Sequence, residues 1–115
     1  MCFRLCVLIS GNGTNLQEII DRCADGVLGN DVVIKHVISN RKSAYGLVRA
    51  QEAGINNTYL QWHKKSETRQ EYEERLLQII HEHPTELIVL AGWMHVLGER
   101  FLNQIGIPVI NLHPA

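Results

Sequence analysis

The sequence lacks the features that mark membrane, secreted and nucleic-acid-binding proteins. No apolar stretch approaches the roughly 20 residues that cross a bilayer, and the opening apolar run is too short and poorly flanked for a signal peptide. The formal net charge is only -1, and no cluster of Lys and Arg offers a general attraction for nucleic acid or an anionic membrane. We therefore expect a cytoplasmic protein that binds neither nucleic acid nor membrane, in which any phosphate recognition is local.

Cysteines are also few. There are three, Cys2, Cys6 and Cys23. Their number is odd, and their spacings match no disulfide or zinc framework. This favours a reduced, intracellular compartment and thiols that are buried as small hydrophobic groups. With 115 residues, of which 45% are hydrophobic and 20% charged, the chain has enough material for one modest core but not for two domains. We expect residues 1–115 to form a single domain.

Five short apolar runs alternate with four helical patterns. The predicted strands are 3–9, 32–38, 58–60, 87–91 and 109–112, and the predicted helices are 15–25, 43–53, 68–83 and 96–105. The third helix is the best marked, because Thr68 and Glu71 have capping-box spacing and Pro84 terminates its apolar stripe. Asn15 is the expected N-cap of the first helix. This alternation predicts an α/β fold with an open, mostly parallel Rossmann-like sheet and helices on both faces.

In such sheets, ligands bind outside the carboxyl ends of the strands, near the point where the strand order reverses. The first of these loops reads Ser-Gly-Asn-Gly-Thr-Asn over residues 10–15. Its two glycines let the backbone approach a ligand closely, and the helix that follows favours an anion at its N-terminus. The loop therefore predicts phosphate binding, with a plain glycine turn as the alternative.

A dinucleotide site is a further interpretation of the same loop. Leu16 replaces the third glycine of the dinucleotide fingerprint, and the second strand ends in Ser39-Asn40-Arg41 with no acidic residue for a ribose hydroxyl. Arg41 could still accept a 2′-phosphate. NADP binding is weakened but remains open.

Asn111 and His113 lie two residues apart on the last predicted strand, so both side chains point to one face while Leu112 packs on the other. An amide donor beside an imidazole suits acyl transfer to an amine, although a lone histidine is more often structural. His81 and His83 are two apart on a helix, so their side chains diverge by about 200° and cannot share a metal ion. We predict no metal site.

Several segments resemble, in order and spacing, the start of the glycinamide ribonucleotide formyltransferases. These segments are Val-Leu-Ile-Ser-Gly-Asn-Gly-Thr-Asn-Leu-Gln at 7–17, Ile-Ser-Asn-Arg at 38–41, Ala-Tyr-Gly-Leu at 44–47, Leu-Ala-Gly-Trp-Met at 90–94 and Asn-Leu-His-Pro at 111–114. The resemblance spans the chain. The 10–17 run separates this family from other folate formyltransferases, which share the Asn-x-His element.

The resemblance implies transfer of a formyl group from 10-formyltetrahydrofolate to the amine of glycinamide ribonucleotide in purine biosynthesis, with these two small molecules as partners and no metal. It implies that Gly13, Thr14 and Asn15 bind the 5′-phosphate, in agreement with the interpretation of the first loop. It also implies that Asn111 and His113 are the catalytic pair that stabilises a tetrahedral oxyanion.

The resemblance further implies a folate site. Its residues are Arg69, Met94, His95, Val96, Leu97 and Asn111. His95 stands where the family often has arginine, and simple core packing is the alternative for the three apolar residues. We expect the side chains of this set to lie around one pocket.

The family continues for a comparable stretch beyond the position of Ala115. In the family that stretch supplies an aspartate that raises the pKa of the catalytic histidine, a loop that closes over folate, and further strands. We therefore expect residues 1–115 to be a truncated N-terminal nucleotide-binding half that is catalytically silent alone. A nucleotide-binding module without catalysis and an NADP-dependent oxidoreductase domain are the other classes that stay open.

Overall fold

The computed structural model describes residues 2–112, and its centre is a five-stranded, fully parallel sheet. The strands are β1 (Phe3–Ile9), β2 (Val32–Ser39), β3 (Asn57–Tyr59), β4 (Leu87–Ala91) and β5 (Val109–Leu112). The helices are α1 (Thr14–Ala24), α2 (Tyr45–Glu52), α3 (Arg69–His81) and α4 (Glu99–Ile105). The predicted open parallel α/β sheet is confirmed.

The strand order is β3-β2-β1-β4-β5, so the chain reverses its direction of travel across the sheet between β1 and β4. These two strands pair directly, with Leu8 opposite Leu90. The loops that follow them therefore start side by side, which is the position where ligands bind in sheets of this kind.

The central strand β1 is buried on both faces and divides the core into two layers. Cys6 and Leu8 pack with α3 and α4, whereas Val7 and Ile9 pack with α1 and α2. This alternation follows the two-residue period of a strand. The short strand β3 lies at one edge of the sheet, as its polar sequence predicts.

The start of α3 carries the predicted capping box. The Thr68 hydroxyl accepts a hydrogen bond from the backbone N–H of Glu71, and the Glu71 carboxylate accepts one from the backbone N–H of Thr68. The buried Tyr72 then donates its hydroxyl proton to the carbonyl of Leu60 at 2.8 Å. These contacts fix α3 against the chain that leaves β3.

Three predicted helix starts are wrong, and one of them is that of the second helix, which begins at Tyr45 rather than at residue 43. Asn15 lies inside α1, because Gly13 occupies the N-cap position with a φ of 82°. The fourth helix begins at Glu99 rather than at residue 96, and Gly98 is its N-cap. Val96 is 80% exposed, in a loop that side chains of α3 hold in a non-helical path. The apolar residues at 96–97 therefore led to the prediction of a helix start that contacts with α3 prevent.

The cysteine prediction is right only in part. Cys6 is buried, Cys23 is partly buried and Cys2 is exposed, and all three are unpaired. Burial raises the pKa of the Cys6 thiol to about 12, so this thiol is unreactive near neutral pH. Among the helices within residues 2–112, none is long and apolar enough to cross a bilayer.

Candidate functional site

Ser10 joins the loops that follow three neighbouring strands. It ends β1, is 2% exposed, and donates its hydroxyl proton to Oδ1 of Asn40, beyond β2, at 2.6 Å. The same hydroxyl accepts a hydrogen bond of 2.8 Å from the backbone N–H of Met94, beyond β4. One buried side chain thus fixes the relative positions of the loops at the carboxyl edge of the sheet.

The predicted phosphate residues lie at the start of α1. The left-handed conformation of Gly13 turns the chain into the helix, and no side chain caps the helix N-terminus. The first backbone N–H groups of α1 therefore lack an intrahelical partner and favour an anion. Thr14 is exposed and Asn15 is partly exposed, so both side chains are accessible beside these donors.

Arg49 of α2 holds the loop between β1 and α1 in place through hydrogen bonds. Its guanidinium donates to the carbonyl of Asn12 at 2.8 Å, to Oδ1 of the same residue at 2.6 Å, and to Oε1 of Gln17 at 3.2 Å. The backbone of α2 adds a hydrogen bond of 3.2 Å from the N–H of Gly46 to the carbonyl of Gly11. The loop is therefore held in one shape before any ligand arrives.

An open cleft of about 1070 Å³ lies between the segments that follow β2, β3 and β4. Ser10 links it to residues 10–15, the predicted phosphate loop, through Asn40 and Met94 of the cleft lining. The cleft brings together four of the predicted folate residues, namely Arg69, Met94, His95 and Val96. The remainder of its lining is cationic, aromatic or polar. These residues are Asn40, Arg41, Lys42, Ser43, Tyr59, Gln61, Trp62, Lys64 and Tyr72. The other two predicted folate residues, Leu97 and Asn111, are outside this lining. Leu97 packs against the core beside α3 and α4.

The His95 side chain is 8% exposed and lies among three aromatic rings. Its ring centroid is 5.4 Å from those of Trp62 and Tyr72, and 6.1 Å from that of Trp93. Its Nε2 is 2.7 Å from Oε2 of Glu73. The imidazole is therefore a fixed part of the cleft wall rather than a free side chain.

Sequence reasoning missed Glu73, which is only 6% exposed. Besides His95, its carboxylate accepts hydrogen bonds from Nε of Arg69 at 3.0 Å and from the backbone N–H of Gly98 at 3.1 Å. The signal was present, because Glu73 lies three and seven residues before the buried Leu76 and Ile80. A charged residue on the apolar stripe of a helix indicates a buried, paired carboxylate.

Arg75 fixes the segment after β3 that forms another wall of the cleft. It donates to both carboxylate oxygens of Glu67, at 2.5 and 2.8 Å, and to the carbonyl of Gln61 at 2.5 Å. The hydrogen bond from Arg75 lowers the pKa of the Glu67 carboxyl below its ordinary value. Trp62 donates its indole proton to the carbonyl of Glu67, which orders the aromatic face of the cleft.

Asn111 lies on β5 opposite Leu90 and is exposed. It is one residue before the end of the strand, near the loop that follows β4. Leu112 pairs with Ala91 and packs against the α1 and α2 layer, as expected for the opposite face of the strand. His113 lies outside the described residues, so the predicted pair is represented by Asn111 alone. Within 2–112, no group of three or more His, Cys, Asp or Glu residues is arranged to bind a metal ion.

Comparison with known proteins gives a consistent set of relatives. A family model described as formyl transferase matches residues 3–115. The chain is 48% identical to a phosphoribosylglycinamide formyltransferase from Dictyostelium discoideum and 46% identical to one from Schizosaccharomyces pombe, in each case over 100% of its length. It covers 61% and 60% of those two proteins, so it spans about three fifths of the curated relatives it matches.

A solved structure is similar over the same region. It is that of the phosphoribosylglycinamide formyltransferase from Coxiella burnetii in complex with CHES, which is 42% identical and superposes with a TM-score of 0.89. The match covers 99% of this chain and 52% of the other. Sequence and fold therefore point to the same relatives.

Proposed function

The chain belongs to the formyl transferase family, and from that membership we propose that it is the nucleotide-binding domain, over residues 1–115, of a phosphoribosylglycinamide formyltransferase. The reaction transfers a formyl group from 10-formyltetrahydrofolate to the amine of glycinamide ribonucleotide. The observation that carries the proposal is the junction at Ser10, which joins a phosphate loop to an aromatic cleft. The two substrates of a formyl transfer need such adjacent sites.

The ribonucleotide binds through its 5′-phosphate at the start of α1. Gly13, Thr14 and Asn15 supply backbone N–H groups and short polar side chains there, and no lysine is needed. Arg49 keeps the loop in its binding shape through Asn12. A loop that is already ordered loses little conformational entropy when the phosphate binds.

The donor occupies the cleft beside this loop. A folate has a flat heterocycle and an anionic glutamate tail, and the cleft offers the matching groups. Trp62, Tyr72 and Met94 provide apolar and aromatic surface, while Arg41 and Lys64 provide positive charge. Arg69, His95 and Val96 complete the wall, and Leu97 supports it from the core.

The chemical step is attack of the substrate amine on the formyl carbon, after which the bond between that carbon and N10 of the folate breaks and the proton lost by the amine moves to N10. As the carbonyl oxygen becomes negative, the Asn111 side-chain amide donates a hydrogen bond to it, which stabilises the transition state more than the ground state. His113 is the second donor and proton carrier of the proposal. The two-residue spacing from Asn111 is the sequence feature that supports this role, because residues two apart on a strand share one face.

Calorimetric titration separates this function from the two alternatives. We expect binding of both glycinamide ribonucleotide and tetrahydrofolate, and no binding of NADPH. Binding of the ribonucleotide without folate would instead support a nucleotide-binding module that lacks catalysis. Binding of NADPH that is lost in Arg41→Ala would support an oxidoreductase, because Arg41 is the residue that would accept the 2′-phosphate.

A further inference from the structure

Glu73 lies behind the wall of the proposed donor cleft rather than in it. The cleft lining includes Arg69 and His95, which are the two side chains that contact the Glu73 carboxylate, but it does not include Glu73 itself. The carboxylate is 6% exposed and faces the side of α3 that packs against the start of α4. Glu73 can therefore affect a ligand in the cleft only through its neighbours.

Two of the three partners of Glu73, His95 and Gly98, lie in one segment, residues 92–98 between β4 and α4. Oε2 lies 2.7 Å from Nε2 of His95, and Oε1 accepts from the backbone N–H of Gly98 at 3.1 Å. Arg69 bridges the remaining part of the segment, since it donates to Oε2 of Glu73 and to the carbonyl of Val96. One buried carboxylate thus links the middle and the end of the segment to helix α3.

This arrangement leaves little freedom to the segment. A Cβ at Gly98 would lie 2.9 Å from Oε1 of Glu73, so a side chain there would displace this carboxylate. A carboxylate only accepts hydrogen bonds, so Nε2 of His95 carries the proton that points to Glu73. That contact orients the imidazole among Trp62, Tyr72 and Trp93. The buried charge in turn depends on these donors, because an unpaired carboxylate would be costly to bury.

We propose that Glu73 is the positioning residue of the donor site: through His95, Gly98 and Arg69 it sets the shape of residues 92–98, and thereby the affinity for the folate donor. The inference rests on the proposed function for its ligand. Its structural part, the ordering of residues 92–98 by Glu73, does not depend on the identity of that ligand.

The test compares Glu73→Gln with Glu74→Gln in the complete protein that carries this chain. Both changes remove one negative charge from α3, but the Glu74 side chain is 52% exposed and lies 3.9 Å from its nearest cation, Arg100. We expect Glu73→Gln to raise KM for 10-formyltetrahydrofolate about tenfold, with kcat and KM for the ribonucleotide within about twofold. Glu74→Gln should leave all three constants unchanged.

A merely structural role gives a different pattern. Loss of folded protein lowers the apparent kcat in proportion and leaves both KM values where they were. That result, or equal effects of Glu73→Gln and Glu74→Gln, would overturn the proposal. His95→Gln and the double variant Glu73→Gln/His95→Gln provide a second check. If Glu73 acts through His95, the double variant should raise the donor KM no more than the more severe single change.

Hydrogen exchange of the backbone amides of residues 92–98 separates this inference from the proposed function. We expect faster exchange in Glu73→Gln than in Glu74→Gln, measured without any ligand. If the parent protein binds no tetrahydrofolate but this difference is found, the proposed function fails and the positioning role stands. If residues 92–98 exchanged equally fast in Glu73→Gln and Glu74→Gln, the positioning role would be refuted, even in an active enzyme. The same outcome in a Glu73→Ala variant would also refute it.

Discussion

Gly13 lies so close to the backbone of Gly46 that it cannot carry a side chain. A Cβ on Gly13 would lie 2.7 Å from the Cα of Gly46, and a Cβ on Gly46 would overlap the side chain of Ile9. The phosphate loop and the first turn of α2 are therefore packed backbone to backbone. Gly13 also has a φ of 82°, a conformation that only glycine adopts without strain.

Replacement of Gly13 by alanine should lower both stability and ribonucleotide affinity. The left-handed conformation alone costs a non-glycine residue about 1–2 kcal/mol, and the contact with the α2 backbone adds to this. Urea unfolding measures the change in the free energy of unfolding, and calorimetry measures the affinity for glycinamide ribonucleotide. Gly11→Ala is the control, because a Cβ at Gly11 meets no atom within 4 Å. Equal stability of the two variants would contradict the packing argument.

Arg49→Ala should weaken ribonucleotide binding about tenfold, although Arg49 is not proposed to touch the phosphate. Without its guanidinium, Asn12 loses two hydrogen bonds and the loop is no longer held in one shape. The dissociation constant for glycinamide ribonucleotide measures the effect. Arg100→Ala removes the same charge from an exposed position and should leave affinity unchanged. If both variants lost affinity equally, the effect would be one of net charge rather than loop shape.

The sequence carried enough local signal to predict most of the fold. β1, β4 and β5 have the bounds predicted from their apolar runs, and the Thr68 capping box marks the start of α3. The start of the fourth helix was predicted too early, because Val96 and Leu97 extend its apolar pattern toward the N-terminus. The contacts that keep these two residues non-helical come from Arg69 and Glu73 on α3. Periodicity within one segment carries no information about such contacts.

The sequence also located part of the candidate site. Glycine spacing located the turn between β1 and α1, for which phosphate binding stays a prediction, and the family resemblance located four residues that do lie around one cleft. The supporting roles of Ser10 and Arg49 were not found, because each acts on a loop far away in sequence. The position of Glu73 on the apolar stripe of α3 was visible in the sequence, but its partners in the loop after β4 were not. Met94, for example, is separated from Ser10 by 84 positions. Long-range hydrogen bonds of this kind require coordinates.

Asn111→Ala should lower kcat for formyl transfer about 10²-fold to 10³-fold, which is the usual effect of removing one oxyanion donor. Asn111 is exposed at the end of β5, so the substitution should not alter the core. Steady-state kinetics with 10-formyltetrahydrofolate and glycinamide ribonucleotide give kcat and both KM values. Asn103→Ala, an exposed asparagine on α4, should be unchanged throughout. A variant that lost affinity but kept its turnover would refute the oxyanion role of Asn111.

His36 is a buried histidine on β2, three residues before the strand ends at Ser39. It is 4% exposed, its Nε2 lies 2.7 Å from Oγ1 of Thr58, and its Nδ1 has no hydrogen-bond partner among the described residues. The His83 ring packs edge-on against it with centroids 5.0 Å apart. Burial lowers the pKa of His36 below 6.5, His83 lowers it further, and Glu82 opposes the shift.

The lowered pKa predicts loss of stability in mild acid. Above about pH 6.5 His36 is neutral whether the chain is folded or unfolded, so its titration has no effect there. As the pH falls below that value, His36 becomes protonated in the unfolded chain but stays neutral in the folded chain, where its pKa is lower. The free energy of unfolding therefore decreases. Urea unfolding at pH 7.5 and 5.5 should show a smaller decrease in His36→Gln than in the parent protein. His63→Gln, which changes an exposed histidine, should show the parental decrease. An identical pH dependence in His36→Gln and the parent would mean that His36 does not cause the loss.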